Sequence, residues 1–268
     1  MGPDSTLTPP GTTSFVSAAR ELLDRIEAQS ETLDTVSGAC ADAIGAGGLV
    51  HLFGTGHSRI PVEEMFPRYG SYPGFSPLVE LSMTFHTQVV GANGQRQAMF
   101  IERQPGLAEV ILSNFSFGPL DLMIVFSASG TTAVPVEMAR GARARGLRVI
   151  AVTSVAQSMS SEPEPAAGQR LLEVADLVID LCSPSADASV HIAGLESPVG
   201  PLSTVGAVAI VNAIKSRTAE LLVERGAMPP VISRASAVGP ERSRELFEEA
   251  YREHARRLAR AIGQQGGG

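Results

Sequence analysis

The sequence predicts an α/β fold in which a parallel sheet is covered by helices on both faces. Apolar runs that suit buried strands alternate along the chain with stretches of helical periodicity. The runs are residues 48–54, 122–126, 147–153 and 174–182. Strands that are apolar throughout are typical of parallel sheets, because helices cover both of their faces. Ligands of such folds bind at the carboxyl ends of the strands, near the point where the strand order reverses.

The composition indicates a globular protein without a nucleic-acid partner. Of the 268 residues 44% are hydrophobic, and the formal net charge is −7 with no basic patch. No run approaches the ~20 apolar residues of a membrane helix, and the N-terminus lacks a signal peptide's features. Cys40 and Cys182 are far apart in sequence, which offers neither a disulfide framework nor a metal motif. We therefore expect a cytoplasmic protein with no membrane association, no cofactor and no metal.

The patterning divides the chain into five segments. Residues 1–13 are rich in Pro, Gly and Thr and are expected to be disordered, and 14–46 are expected to form two helices. Residues 47–226 contain the alternating strands and helices of the main domain. An extension over 227–262 includes an amphipathic helix from Arg242 to Ile262, and the glycine-rich residues 263–268 are expected to be a flexible tail.

Several segments between the strands are assigned from composition alone. The stretch 91–106 is polar and is left unassigned, while 107–112 is expected to be a short helix. The helix expected over 205–224 is apolar all round in its first half, which predicts burial or an interface with another subunit. The segments expected to be loops are 69–77, a candidate pocket wall, 154–169 and 183–203.

Hydroxyl residues surround a single glycine where the second predicted strand ends and the helix over 133–145 begins. Such a turn offers free backbone N–H groups and the positive end of a helix dipole to an anion. The hydroxyls add neutral donors, and the turn contains no lysine and no metal-binding acid. The pattern predicts a site that holds a phosphate monoester rather than one that cleaves it. A helix cap with surplus hydroxyls is the alternative. The hydroxyl residues of this turn are Ser127, Ser129, Thr131 and Thr132.

The first predicted strand runs into a glycine-rich turn, Gly54-Thr-Gly-His-Ser58. Its glycines allow the backbone to approach a ligand, and Ser58 can donate to a phosphate or a sugar hydroxyl, so Gly56 and Ser58 are candidate ligands. Arg59 stands where a dinucleotide-binding fingerprint needs a small residue, and no Gly-Lys-Ser/Thr of a P-loop is present. A nicotinamide-dependent oxidoreductase is therefore disfavoured.

These two turns, in this order, resemble the two ligand loops of the sugar isomerase (SIS) domain family. The resemblance covers roughly residues 33–224, and phosphoheptose isomerase and N-acetylmuramic acid 6-phosphate etherase are related members. It implies a three-layer sandwich with a five-stranded parallel sheet, a homodimer with sites at the subunit interface, and a phosphosugar ligand. A homotetramer is also open. The family's phosphate-binding hydroxyls match Ser58 and the hydroxyls of 127–132.

Aldose–ketose isomerisation needs a base that moves a proton between C1 and C2 through an enediolate. Glu64 is the favoured candidate, because Glu64-Met-Phe-Pro resembles the etherase segment that contains the acid/base glutamate; Glu63 comes second. His57 and His191 are candidates for opening the sugar ring. For all four, a solvated or structural side chain is the alternative.

Two further assignments come from the remaining motifs. Ser203-Thr204 resembles a Ser-Thr-Thr turn of the sugar-phosphate isomerases, and Ser203 is expected either to line the pocket or to cap the following helix. The remaining histidines, His51, His86 and His254, have no metal-ligand spacing.

The sequence therefore favours a phosphosugar isomerase that needs no external cofactor, or a closely related etherase or lyase. A non-catalytic phosphosugar sensor is the rival hypothesis, because SIS domains also occur in bacterial regulators joined to a DNA-binding helix-turn-helix. Only two helices with net acidic faces precede the first strand here, so DNA binding is not expected. A sensor that acts through a protein partner remains open.

Overall fold

The computed structural model describes residues 10–84 and 94–262 and has the predicted α/β architecture. The strands of the main sheet are β1 (Val50–Gly54), β2 (Phe75–Leu78), β3 (Leu122–Phe126), β4 (Arg148–Thr153) and β5 (Leu177–Asp180). They are all parallel and lie in the order β2-β1-β3-β4-β5, so the order reverses between β1 and β3. A separate antiparallel hairpin consists of β6 (Ala188–Val190) and β7 (Val199–Pro201).

Helices connect these strands and flank the sheet. In chain order they are α1 (Gly11–Glu27), α2 (Ser30–Gly45), α3 (Ile60–Met65), α4 (Gly94–Ile101), α5 (Leu107–Leu112), α6 (Ala133–Ala144), α7 (Val155–Ser160), α8 (Leu171–Val174), α9 (Ser203–Glu224), α10 (Ala235–Val238) and α11 (Pro240–Ile262). Short 3₁₀ turns cover Gly56–Arg59 and Leu81–Met83. Within the described ranges, no helix combines the length and the apolar character needed to cross a membrane.

The sheet separates two hydrophobic cores, which makes the molecule a three-layer sandwich. Strand side chains alternate between the faces: in β3, Leu122, Ile124 and Phe126 join one core, and Met123 and Val125 join the other. The first core continues into α1, α2, α3 and α9, and the second into α5, α6 and α8. The predicted fold class, a five-stranded parallel sheet with helices on both faces, is thus confirmed.

Helix α9 is a central element of one layer. It packs against α1, α2 and α3 within the same chain, and Ile210, Val211 and Ile214 are fully buried. The apolar composition of this helix is therefore accounted for inside one subunit. The homodimer or homotetramer remains a prediction from the SIS resemblance.

The expectation of a loop over 69–77 is wrong at its end, because Phe75–Leu78 forms β2. Pro77 lies within this strand, opposite Leu52 of β1. Proline has no N–H to give to a ladder, so it is tolerated in a strand only where one side is unpaired. β2 is an edge strand and meets that condition. The proline that argued against a strand instead places the strand at the edge.

Other sequence boundaries also shift in the structure. The predicted strand 174–182 is confined to Leu177–Asp180, the predicted loop 154–169 contains α7, and the predicted loop 183–203 contains the β6–β7 hairpin. Each of these elements has six residues or fewer, which is too short for periodicity to place its bounds. The unassigned stretch 91–106 contains α4.

Some expectations lie partly or wholly outside the described residues. These are the disorder of residues 1–9, the flexible tail 263–268, and His86. Helix α1 begins at Gly11, so residues 11–13 of the segment expected to be disordered are helical.

Arg257 attaches the C-terminal helix α11 to the main domain. Its Nη1 donates to the carbonyl oxygens of Ile44 and Gly48, each at 2.9 Å, and its Nε donates to Glu253 at 2.7 Å. The side chain is only 6% exposed. These carbonyls lie at the end of α2 and just before β1, so one guanidinium joins three elements.

We predict that Arg257→Ala lowers the free energy of unfolding by about 2–4 kcal/mol, since it leaves two buried carbonyl groups without donors. Arg256→Ala is the matched control, because Arg256 pairs with the same Glu253 but is exposed; its effect should stay within about 1 kcal/mol. Guanidinium denaturation followed by circular dichroism measures both. Equal losses in the two variants would contradict the anchoring role of Arg257.

Candidate functional site

A cavity of about 480 Å³ opens at the carboxyl edge of the sheet, between the ends of β1 and β3. Strand order reverses at this point, which is where open α/β sheets bind ligands. The volume is in the range of small-molecule sites. The glycine loop (Gly54–Ser58) and the hydroxyl loop (Ser127–Thr132) form two of its walls, α4 a third, and the start of α9 with the hairpin a fourth.

A left-handed glycine gives the hydroxyl loop its shape. Gly130 has φ +61°, and its N–H donates to Ser127 Oγ at 3.2 Å. A Cβ atom at Gly130 would lie 2.9 Å from Thr153 Oγ1, so both the φ angle and the space require glycine. The resulting turn brings Ser127, Ser129 and Thr132 to the cavity, while Thr131 is buried and does not line it.

The hydroxyls of this loop are not used up in capping the helix behind it. Thr132 is the N-cap residue of α6, yet its side chain makes no capping hydrogen bond. The N–H of Val134 donates to the backbone oxygen of Glu102 at 2.9 Å, and Pro135 has no N–H. Thr132 lines the cavity and immediately precedes α6, so the amino end of α6 adjoins the cavity. This geometry disfavours the surplus-cap alternative for the loop.

The glycine loop folds back tightly over the end of β1. A Cβ atom at Gly54 would lie 2.2 Å from the backbone oxygen of Ser58, so only glycine allows this return. The return brings Gly56, His57 and Ser58 to the cavity. Two predicted ligands, Gly56 and Ser58, and one predicted ring-opening histidine, His57, thus share the cavity with the hydroxyl loop.

Ser203 both lines the cavity and begins α9, where Asp187 holds it. Asp187 Oδ1 accepts hydrogen bonds from the N–H groups of Leu202 and Ser203, and Oδ2 accepts one from Ser203 Oγ at 2.8 Å. The side chain that caps this helix end is therefore Asp187. Asp187 has φ +60° and itself lines the cavity.

The favoured base from the sequence, Glu64, lies near the end of α3 and is not among the described residues that line the cavity. Its carboxylate forms an ion pair with Arg68 and accepts a hydrogen bond from Asn212 at 2.9 Å. Burial raises the pKa of Glu64, but the Asn212 and Arg68 hydrogen bonds and the charges of Arg68 and Lys215 outweigh it and keep the pKa below its ordinary value. Glu64 is therefore held as a carboxylate by three neighbours.

Two other predicted catalytic residues also lie off the described cavity wall. Glu63 is exposed and forms an ion pair with Arg59. His191 is exposed and follows β6. The structure thus brings His57 to the cavity and leaves Glu63, Glu64 and His191 outside it.

Glu102 is a carboxylate at the cavity that the sequence analysis missed. It follows α4, whose residues Gln95 and Met99 line the cavity with it at a spacing typical of one helix face. Thr55 Oγ1 donates to Glu102 Oε2 at 2.6 Å. The i, i+4, i+7 spacing of Gln95, Met99 and Glu102 was the available signal, but the polar stretch 91–106 has no apolar stripe long enough to indicate a helix.

The other histidines have structural surroundings. His51 is fully buried, with its Nε2 3.2 Å from Asp121 Oδ2, and His254 packs against the ring of Phe66. Over residues 10–84 and 94–262, no three His, Cys, Asp or Glu side chains are grouped as metal ligands would be.

Comparison with known proteins identifies relatives over most of the chain. The SIS domain family model matches residues 14–154. A UPF0309 protein of Streptomyces griseus is 33% identical over 228 residues, covering 84% of this chain and 88% of the relative. A UPF0309 protein of Geobacillus kaustophilus is 32% identical over 225 residues, covering 84% and 87%.

A solved structure has a weaker similarity. It is the sugar isomerase domain of the RpiR transcription factor from Sphaerobacter thermophilus, with a TM-score of 0.43 and 19% identity over 90% of this chain and 98% of that one. A TM-score of this size does not establish a shared fold, so the strand order and the sequence match carry the assignment. On that basis, this chain belongs to the SIS domain family.

Proposed function

We propose that this protein binds a phosphorylated sugar at the switch-point cavity, with the phosphate on the hydroxyl loop, and isomerises it between aldose and ketose forms. One observation carries the proposal. Ser127, Ser129 and Thr132 line the cavity next to the amino end of α6, and the Thr132 side chain makes no capping hydrogen bond there. Ser58 adds a hydroxyl from the opposite loop.

Neutral donors suit a phosphate that is bound and not transferred. Among the described residues that line the cavity there is no Lys or Arg. Backbone N–H groups, hydroxyls and a helix dipole can hold a phosphate dianion without a cation. The binding energy of the phosphate then orients the reacting carbons at the other end of the sugar.

Isomerisation is favoured over simple binding because groups capable of proton transfer share the cavity with the hydroxyl loop. His57 lines it and is the proposed group that assists ring opening. The enediolate needs a base within hydrogen-bond distance of the sugar. Glu64 and Glu63 are the bases that the sequence suggests. They stay candidates only if a second copy of the chain completes the cavity, since the SIS resemblance implies sites at the subunit interface.

The phosphate assignment predicts that Ser129→Ala weakens sugar-phosphate binding by about 10–150-fold, which is the loss of a hydrogen bond to a charged group worth about 1.5–3 kcal/mol. Ser113→Ala, on the surface beyond α5, is the matched control and should bind like the wild type. The readout is the increase in melting temperature on adding pentose, hexose, heptose and amino-sugar phosphates. An undiminished increase in the Ser129 variant would refute the phosphate assignment.

The isomerase assignment predicts solvent deuterium at the carbon next to the carbonyl of the turned-over sugar phosphate. The base removes a carbon-bound proton to form the enediolate, the proton on the base exchanges with D₂O, and a deuteron is returned to carbon. A sensor that only binds incorporates no deuterium. NMR of the same panel in D₂O, with wild-type protein, gives the answer. Binding without deuterium incorporation would favour the sensor, and release of a second product would favour a lyase.

A further inference from the structure

We propose that Glu102 is the catalytic residue that carries the proton in this cavity. This inference rests on the proposed function, since it names the base for the same reaction.

Glu102 connects the glycine loop to the first turn of α6, the helix that follows the hydroxyl loop. Its side chain accepts the hydrogen bond from Thr55 in the glycine loop, and its backbone oxygen accepts the hydrogen bond from Val134 in the first turn of α6. Contacts with the glycine loop and with α6 hold Glu102 beside the space between the two loops. The phosphate and the reacting carbons of one ligand occupy that same space in the proposed function.

Other carboxylates near the site are committed elsewhere. Asp187 lines the cavity, but it accepts three hydrogen bonds from the start of α9. Glu64 is ion-paired with Arg68 and is not among the described lining residues. Glu102 lines the cavity, and its Oε2 accepts a hydrogen bond from the neutral hydroxyl of Thr55.

The charges around Glu102 suit a group that must both take and return a proton. Burial raises its pKa above the ordinary value, and the charge of Glu164 adds to the rise. The Thr55 hydrogen bond and the charge of Arg103 oppose it. A carboxyl group whose pKa lies closer to the working pH is a more effective acid and base than an exposed one.

The proposed step conserves atoms and electrons. The Glu102 carboxylate takes the C2 proton of the open-chain aldose, the C2–H electron pair forms the C1=C2 bond, and the carbonyl electrons move to O1. O1 then gains the proton that O2 loses. Finally the Glu102 carboxyl returns its proton to C1, and C2 becomes the ketone carbon.

Glu102→Gln tests this directly, because the amide oxygen can still accept the Thr55 hydrogen bond. We expect the melting-temperature increase with the sugar-phosphate panel to persist while deuterium incorporation falls by about 10²–10⁴-fold. Glu109→Gln is the matched control, since Glu109 is exposed on α5 and pairs with Arg145. It should exchange at the wild-type rate. Wild-type exchange in the Glu102 variant, or loss of exchange only in Glu64→Gln, would overturn the inference.

Thr55→Val gives a second test that does not remove the carboxyl group. Without the Thr55 donor the carboxylate is less favoured, so the pKa of Glu102 rises. The acidic limb of the kcat/KM profile should therefore move to higher pH, because the base must be ionised. Thr35→Val, on the exposed face of α2, should leave the profile in place. An unmoved limb in Thr55→Val would contradict the role of Glu102.

The two levels of the proposal fail differently. If no sugar phosphate raises the wild-type melting temperature, the proposed function is wrong, and so is the assignment of Glu102 as its base. If the wild type binds without exchanging deuterium, the protein is a binder and the Glu102 inference is wrong. If the wild type exchanges and Glu102→Gln exchanges equally, only the choice of base is wrong.

Discussion

Parallel pairing of β1 with β3 positions both loops of the candidate site. Gly54 lies opposite Phe126 in this register, so the two strands end at the same level of the sheet. The chain then leaves β1 and β3 through the glycine loop and the hydroxyl loop, which open toward each other because the strand order reverses there. A one-residue shift of either strand would displace the loop that follows it. It would also move every side chain of that strand to the opposite core.

This arrangement requires close approach of other atoms to the backbone at two positions, and both positions are occupied by glycine. Gly54 lets the carbonyl of Ser58 fold back to 2.2 Å from where a Cβ would stand, and Gly130 takes up a left-handed turn against Thr153. These positions expose N–H groups and hydroxyls to the cavity in place of bulky side chains. The two loops therefore bring small and hydroxyl side chains to the cavity, which suits the proposed binding of a phosphate that stays intact.

Elements distant in sequence complete the site, and they were the hardest to foresee. The two loops could be identified because their residues are contiguous and follow strong strand patterns. Glu102 could not, because its relation to Thr55 and Val134 exists only once α4 is placed beside both loops. Pro77 in β2 is a related case. A proline is compatible with an edge strand but not with a central one, and the position of a strand in the sheet is not apparent from local sequence.

Local sequence patterns are sufficient to predict the α/β class, most strand positions, and the two loops that follow β1 and β3. Apolar runs, glycines and hydroxyl clusters are local patterns, which can be recognised without knowledge of the tertiary structure. The carboxylates that reach the cavity become apparent only in the folded chain, which brings Glu102 and Asp187 to the cavity wall and pairs Glu64 with Arg68 and Asn212. This is because the surroundings of a charged side chain come from neighbours across the fold, and spacing along the chain does not specify them.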